Sequence, residues 1–211
     1  MISKKGFTLV EVLLVITIMA IISIAAMTST INIQKQFVFS NTFKGLLSKV
    51  REGRFYAVTQ KTVEIDSVQN LPSSYGVFVQ NTGTNIEVIT FADLADSTTP
   101  NGYDNDNTDV LIGPTYTLDN TKYSLKVIGS DSSPNDPSNY DISSSPVNSL
   151  TLLYPPSEIK VVPSGETDGE TVDFPESTIK LKLTDLSNSQ MTKTISIFIR
   201  SGIAEETNSQ S

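Results

Sequence analysis

The chain reads as an α+β protein: a long N-terminal helix packed on an antiparallel β-sheet domain. Three observations predict this. Residues Phe7–Met27 form an apolar run that holds one charged side chain, Glu11. The pattern then turns amphipathic, with no proline before Pro72. Beyond Lys61, short β-rich runs alternate with stretches of Gly, Pro, Asn and Ser, the punctuation of hairpins rather than of βαβ units.

The apolar run comes first. Apart from Glu11, only Thr8, Thr17 and Ser23 are polar between Phe7 and Met27. Its length matches the ~20 residues a helix needs to cross a bilayer. A carboxylate at the centre of such a segment costs roughly 2.5–3.5 kcal/mol on insertion scales, so Glu11 calls for a partner. Lys4 and Lys5 stand in front of the run and the polar bulk behind it. The positive-inside rule then keeps the leader cytoplasmic and the residues beyond Met27 outside. The expectation is a single pass through the inner or cytoplasmic membrane.

An ordinary secretory signal has a shorter apolar region and is cut behind it, at small residues. Here the basic–glycine junction lies in front of the run. That junction resembles the class III signal of type IV pilin-like proteins, and the resemblance implies a cut after Gly6 that exposes an ammonium on Phe7, with Glu11 one helical turn further in. In the fibre it implies, a neighbour's ammonium can pair with Glu11 and relieve the cost of burying it. The alternative is a plain signal anchor in which Glu11 snorkels to the interface. That reading leaves the order Gly-Phe-Thr-Leu-Val-Glu unexplained.

The stretch Lys4-Lys5-Gly6-Phe7-Thr8-Leu9-Val10-Glu11 resembles the class III, prepilin-type signal of type IV pilin-like proteins. The resemblance implies cleavage between Gly6 and Phe7 by a prepilin peptidase and N-methylation of Phe7. It implies that the helix is retained and that Glu11 serves assembly. The partners it implies are other pilins or pseudopilins, the peptidase/N-methyltransferase, the membrane and an assembly platform protein. The end point is an extracellular or periplasmic fibre of a type IV pilus, type II secretion or competence machine.

The second half of the helix follows without a break. Phe39, Phe43, Leu46, Leu47, Val50, Arg54, Ala57 and Val58 fall largely at helical spacing. Lys35, Lys44, Lys49, Arg51 and Glu52 occupy other faces. A single helix from Phe7 to Gln60 would be on the order of 80 Å long. Thr28–Ile31, Gly45 and Gly53 are its weak points by propensity. The organisation expected is a cleaved leader at 1–6, a membrane and assembly helix at 7–28 and an amphipathic spine at 29–60. A β domain at 61–203 and a frayed polar tail at 204–211 follow.

Strands are expected at Val63–Val68, Tyr75–Gln80, Ile86–Phe91, Val110–Ile112 and Tyr123–Ile128. Further strands are expected at Leu150–Tyr154, Ile159–Val162, Ile179–Leu183 and Thr194–Ile199. Asn81–Thr84 reads as a hairpin turn. Ser130–Val147 and Pro163–Pro175 are too polar to bury a core and read as exposed loops. Tyr75–Phe78, Ile89–Asp93, Asn101–Asp104, Asp109–Ile112, Ile195–Ile199 and Ser201–Ile203 are similar to the GspH/FimT-type minor pseudopilin domain. That likeness implies a spine followed by two antiparallel sheets.

Composition narrows the chemistry. Removing Lys4 and Lys5 leaves 13 basic residues against 23 acids, a net charge of about −10, so no nucleic-acid partner is expected. There is no Cys, hence no disulfide framework, and no His, hence no Ser-His-Asp constellation. The chain is not expected to be an enzyme. The richest ligand cluster is Asn101–Asp109, where Asp104, Asp106 and Asp109 offer oxygens to a calcium ion. Its glycine precedes the acids and no glutamate closes it, so a solvated turn is the competing reading. A further alternative makes the external domain a fibre-displayed adhesin that binds through its polar loops.

Overall fold

The computed structural model describes residues 8–65, 67–94, 103, 109–128, 140–142, 149–154, 160–163, 178–198 and 201–207. One helix, α1, runs over Leu9–Thr59. The strands are β1 (Val63–Ile65), β2 (Val68–Asn70), β3 (Ser74–Asn81), β4 (Asn85–Asp93) and β5 (Asp109–Leu111). They continue as β6 (Tyr116–Asp119), β7 (Tyr123–Ile128), β8 (Tyr140–Asp141), β9 (Ser149–Tyr154) and β10 (Lys160–Pro163). The chain closes with β11 (Thr178–Asp185), β12 (Asn188–Phe198) and β13 (Ala204–Thr207). The fold is a long N-terminal helix and antiparallel sheets, the α+β class expected of a pilin-like chain.

The chain forms two compact units, Met1–Asn41 and Thr42–Ser211. In the first, α1 as far as Met27 is apolar on nearly every side, Glu11 excepted, and buries nothing within the chain over its membrane-length window. The hydroxyls of Thr17, Ser23 and Thr30 donate to the carbonyls of Leu13, Met19 and Ala26, at 2.8, 2.7 and 3.0 Å. Bonding back to the preceding turn leaves these side chains no unmet donor, as a hydrocarbon environment demands.

In the second unit the remainder of α1 packs against two sheets. A six-stranded sheet has the order β10-β9-β3-β4-β5, with β6 also paired to β4. A five-stranded sheet has the order β13-β12-β11-β7-β8, and β1 pairs β2 separately. Phe43, Leu46, Leu47 and Val50 recur at helical spacing and are buried, which satisfies the apolar stripe of the spine. Tyr116 donates to the Thr42 carbonyl at 2.7 Å and Tyr154 to the Val50 carbonyl at 3.1 Å, both from the six-stranded sheet. From the five-stranded sheet, the Lys193 ammonium sits 4.9 Å from the Phe43 ring centroid. Arg51 Nε donates to the Ala204 carbonyl at 2.8 Å. In β11, Ile179, Leu181 and Leu183 are buried and alternate with half-buried residues, the period-2 pattern of a sheet with one core face.

Several sequence expectations are corrected. Gly45 and Gly53 are not points where the helix loosens, since α1 is continuous through both. They are points of close approach: an added Cβ would lie 2.6 Å from Tyr116 Oη at Gly45 and 2.6 Å from Val77 Cγ2 at Gly53. Val58 is not core but 71% exposed. Val63–Val68 is two strands rather than one, because Ser67 adopts φ 65° and turns the chain. The expected polar loop at 130–147 contains β8, and the tail expected to fray at 204–211 supplies β13 over its first four residues. Strand β6 was not expected at all. The outer ends of two expected strands, Ile159 and Ile199, lie outside the described residues.

The spine ends on a recognisable stop. Gln60 takes the left-handed φ of 47° and the Lys61 amide donates to the Tyr56 carbonyl at 3.3 Å, a Schellman closure. The Lys61 ammonium lies 4.3 Å from the Tyr56 ring centroid, the side-chain contact that accompanies it.

Candidate assembly site

The start of α1 is built by Thr8 and Glu11. The Thr8 amide and the Thr8 hydroxyl both donate to Glu11 Oε2 at 3.0 Å. The Glu11 amide donates back to Thr8 Oγ1 at 3.2 Å, and the Val12 amide to the Thr8 carbonyl at 3.2 Å. This is a capping box: Thr at the N-cap and Glu at the third helical position satisfy each other's amides. The signal for it, Thr-x-x-Glu directly before an apolar run, stands in the sequence, beside the intermolecular pair and the snorkelling anchor that the sequence also suggests for Glu11. Both Thr8 bonds fall on Oε2. Among the described residues Oε1 accepts no hydrogen bond.

Around this carboxylate the side chains are apolar and uncovered. Leu9 is 81% exposed, and Val10, Leu13, Leu14 and Ile16 are also exposed. The segment holds a window of mean hydropathy 2.7, none of it buried by the chain's own fold. Burying an apolar side chain of this size is worth roughly 1.5–3 kcal/mol. A helix with so many of them uncovered is built to be covered by lipid or by other helices.

The remaining candidate residues are placed as follows. Gly6 and Phe7 lie outside the described residues, as do Asp104 and Asp106. Asp109 opens β5 and stands directly opposite the buried Asp93 of β4. That juxtaposition crosses two strands and had no signal in the sequence. Among the described residues no group of three acidic, His or Cys side chains is gathered to hold a metal.

Residues 1–27 match the family model described as the prokaryotic N-terminal methylation motif. The motif indicates a type IV pilin-like class III signal and a pilin- or pseudopilin-like precursor, and the capped helix it overlaps is long and apolar enough to cross a membrane. No curated protein and no solved structure matches the chain.

Proposed function

We propose that this protein is a structural subunit, a minor pilin or pseudopilin of GspH/FimT type, rather than an enzyme. It serves a type IV pilus, a type II secretion pseudopilus or a competence pseudopilus. The observation that carries the reading is a prepilin-type motif that runs into a helix whose apolar side chains the chain itself leaves uncovered. A prepilin peptidase removes residues 1–6, and Phe7 becomes the N-methylated first residue. The domain beyond the membrane helix stands outside the cytoplasm. An assembly platform protein then drives the subunit into a fibre, where α1 packs among the helices of other pilins. Oε1 of Glu11 takes the ammonium of a neighbour's Phe7, a charge-assisted pair that lowers the cost of a carboxylate in apolar surroundings.

The test is a pair of substitutions. Gly6→Val should leave the longer precursor in the membrane, because the peptidase must approach the backbone closely at that residue. Glu11→Val should be cleaved normally yet be depleted from sheared fibres. Mass spectrometry of the N-terminus reads the first and fibre abundance the second. A Gly6→Val chain that still loses its six-residue leader would overturn the processing step.

A further inference from the structure

The last turns of α1 and strand β13 leave a groove uncovered. Phe55 is 61% exposed, Val58 71% and Ile203 37%. These three form the apolar floor of a groove of about 480 Å³ that Arg54 and Glu205 also line. Arg51, beside them, is already engaged with the Ala204 carbonyl. Arg54 lies along Gly202, where an added Cβ would be 3.1 Å from Arg54 Cδ. Its guanidinium has no hydrogen bond or ion pair among the described residues. On β13, Glu206 is paired with Lys193 at 2.6 Å, whereas Glu205 has no such partner among the described residues. The outer edge of β13 pairs with no other described strand.

Among the described residues, an exposed apolar floor flanked by a cation and an anion that lack ion-pair partners is self-complementary. A two-fold rotation sets Arg54 of one copy against the partner's Glu205 and the reverse, while the apolar residues cover one another. Other occupants fit less well. An acidic ligand drawn by Arg54 meets Glu205 in the same groove, and the chain as a whole carries a net charge of −8, which repels nucleic acid and anionic lipid. We propose that this groove docks a second copy of the same chain, so that the subunit forms a two-fold pair through its β13 edge. The pair is separate from any association through the apolar helix.

The chain contains no cysteine, so a single introduced thiol reports one position. Val58→Cys in the full-length protein, treated in native membranes with a short bismaleimide, should give a cross-linked homodimer. Val68→Cys, also exposed but not among the residues that line the groove, should not. In the Val58→Cys background, Arg54→Glu and Glu205→Arg should each lower the dimer yield by about tenfold or more, because like charges then meet across the interface. The double reversal should restore it. A folding defect would not be rescued by the second reversal, and association through the apolar helix alone would ignore all three. Absence of a homodimer, a dimer indifferent to the reversals, or cross-linking only to a different protein would each overturn the proposal.

Discussion

Replacing Gly53 with alanine sets two physical effects against each other. In an exposed helix interior, Gly→Ala stabilises by about 1 kcal/mol, because glycine loses the most backbone freedom on folding. At Gly53 the new Cβ would lie 2.6 Å from Val77 Cγ2 and 2.9 Å from Tyr154 Cε2, well inside the 3.4 Å at which ordinary contact begins. Neither neighbour is free to yield. Val77 is wholly buried in the central strand β3. The Tyr154 ring is buried and tethered by its hydroxyl to the Val50 carbonyl of the same helix. Overpacking of this kind costs about 1–3 kcal/mol. The net expectation is a loss of up to about 2 kcal/mol, or up to roughly 8 °C in Tm for a domain of this size. Thermal unfolding of the full-length protein in detergent, followed by near-ultraviolet circular dichroism, measures it, with Gly53→Val expected to lose more. If Gly53→Ala melts above the parent, helix propensity has won and the close seating of spine on sheet is refuted.

Two further outcomes concern pH. Burial pushes the Tyr154, Tyr75 and Tyr116 hydroxyls above their ordinary 10.0, and the carboxylate of Glu52, accepting from the Tyr56 hydroxyl at 2.7 Å, raises Tyr56. With folded values raised, the stabilisation is complete below pH 10 and is lost as pH rises beyond it. Denaturant midpoints should therefore fall from pH 10 upward, and Tyr154→Phe should flatten that fall; a midpoint level to pH 11.5 or so would contradict it. Asp119 is the acid-side counterpart. Hydrogen bonds from the Thr121 hydroxyl, the Lys122 ammonium and the Thr121 amide hold it down at about 2 from an ordinary 3.8. Its contribution is present above 3.8 and fades as pH falls toward 2. A carboxyl NMR titration should place its midpoint near 2 in the parent and higher in Thr121→Val.

Most of what depends on neighbours along the chain can be read from the residues alone. The apolar run, the helix that carries it and the class of signal in front of it follow from residues within one or two turns of each other. So do the principal strands, since Tyr75–Gln80, Tyr123–Ile128 and Leu150–Tyr154 alternate or cluster their β-branched and aromatic residues. Thr8 and Glu11 were equally local, and their mutual capping was legible from a spacing of three residues.

Tertiary structure alone decided the roles that depend on what comes to lie opposite. Gly45 and Gly53 look like flaws in a helix until Tyr116, Val77 and Tyr154 arrive from strands far along the chain. Ala204–Thr207 has the composition of a frayed end, yet it pairs with β12 because Ile197 and Ser196 present an open edge. Asp93 and Asp109, and likewise Arg54 and Glu205, become neighbours only through strand pairing and helix seating. The physical reason is that local pattern reports the period of a segment and the sign of its surface. Register and the identity of the facing element are set by packing between residues that the sequence keeps apart.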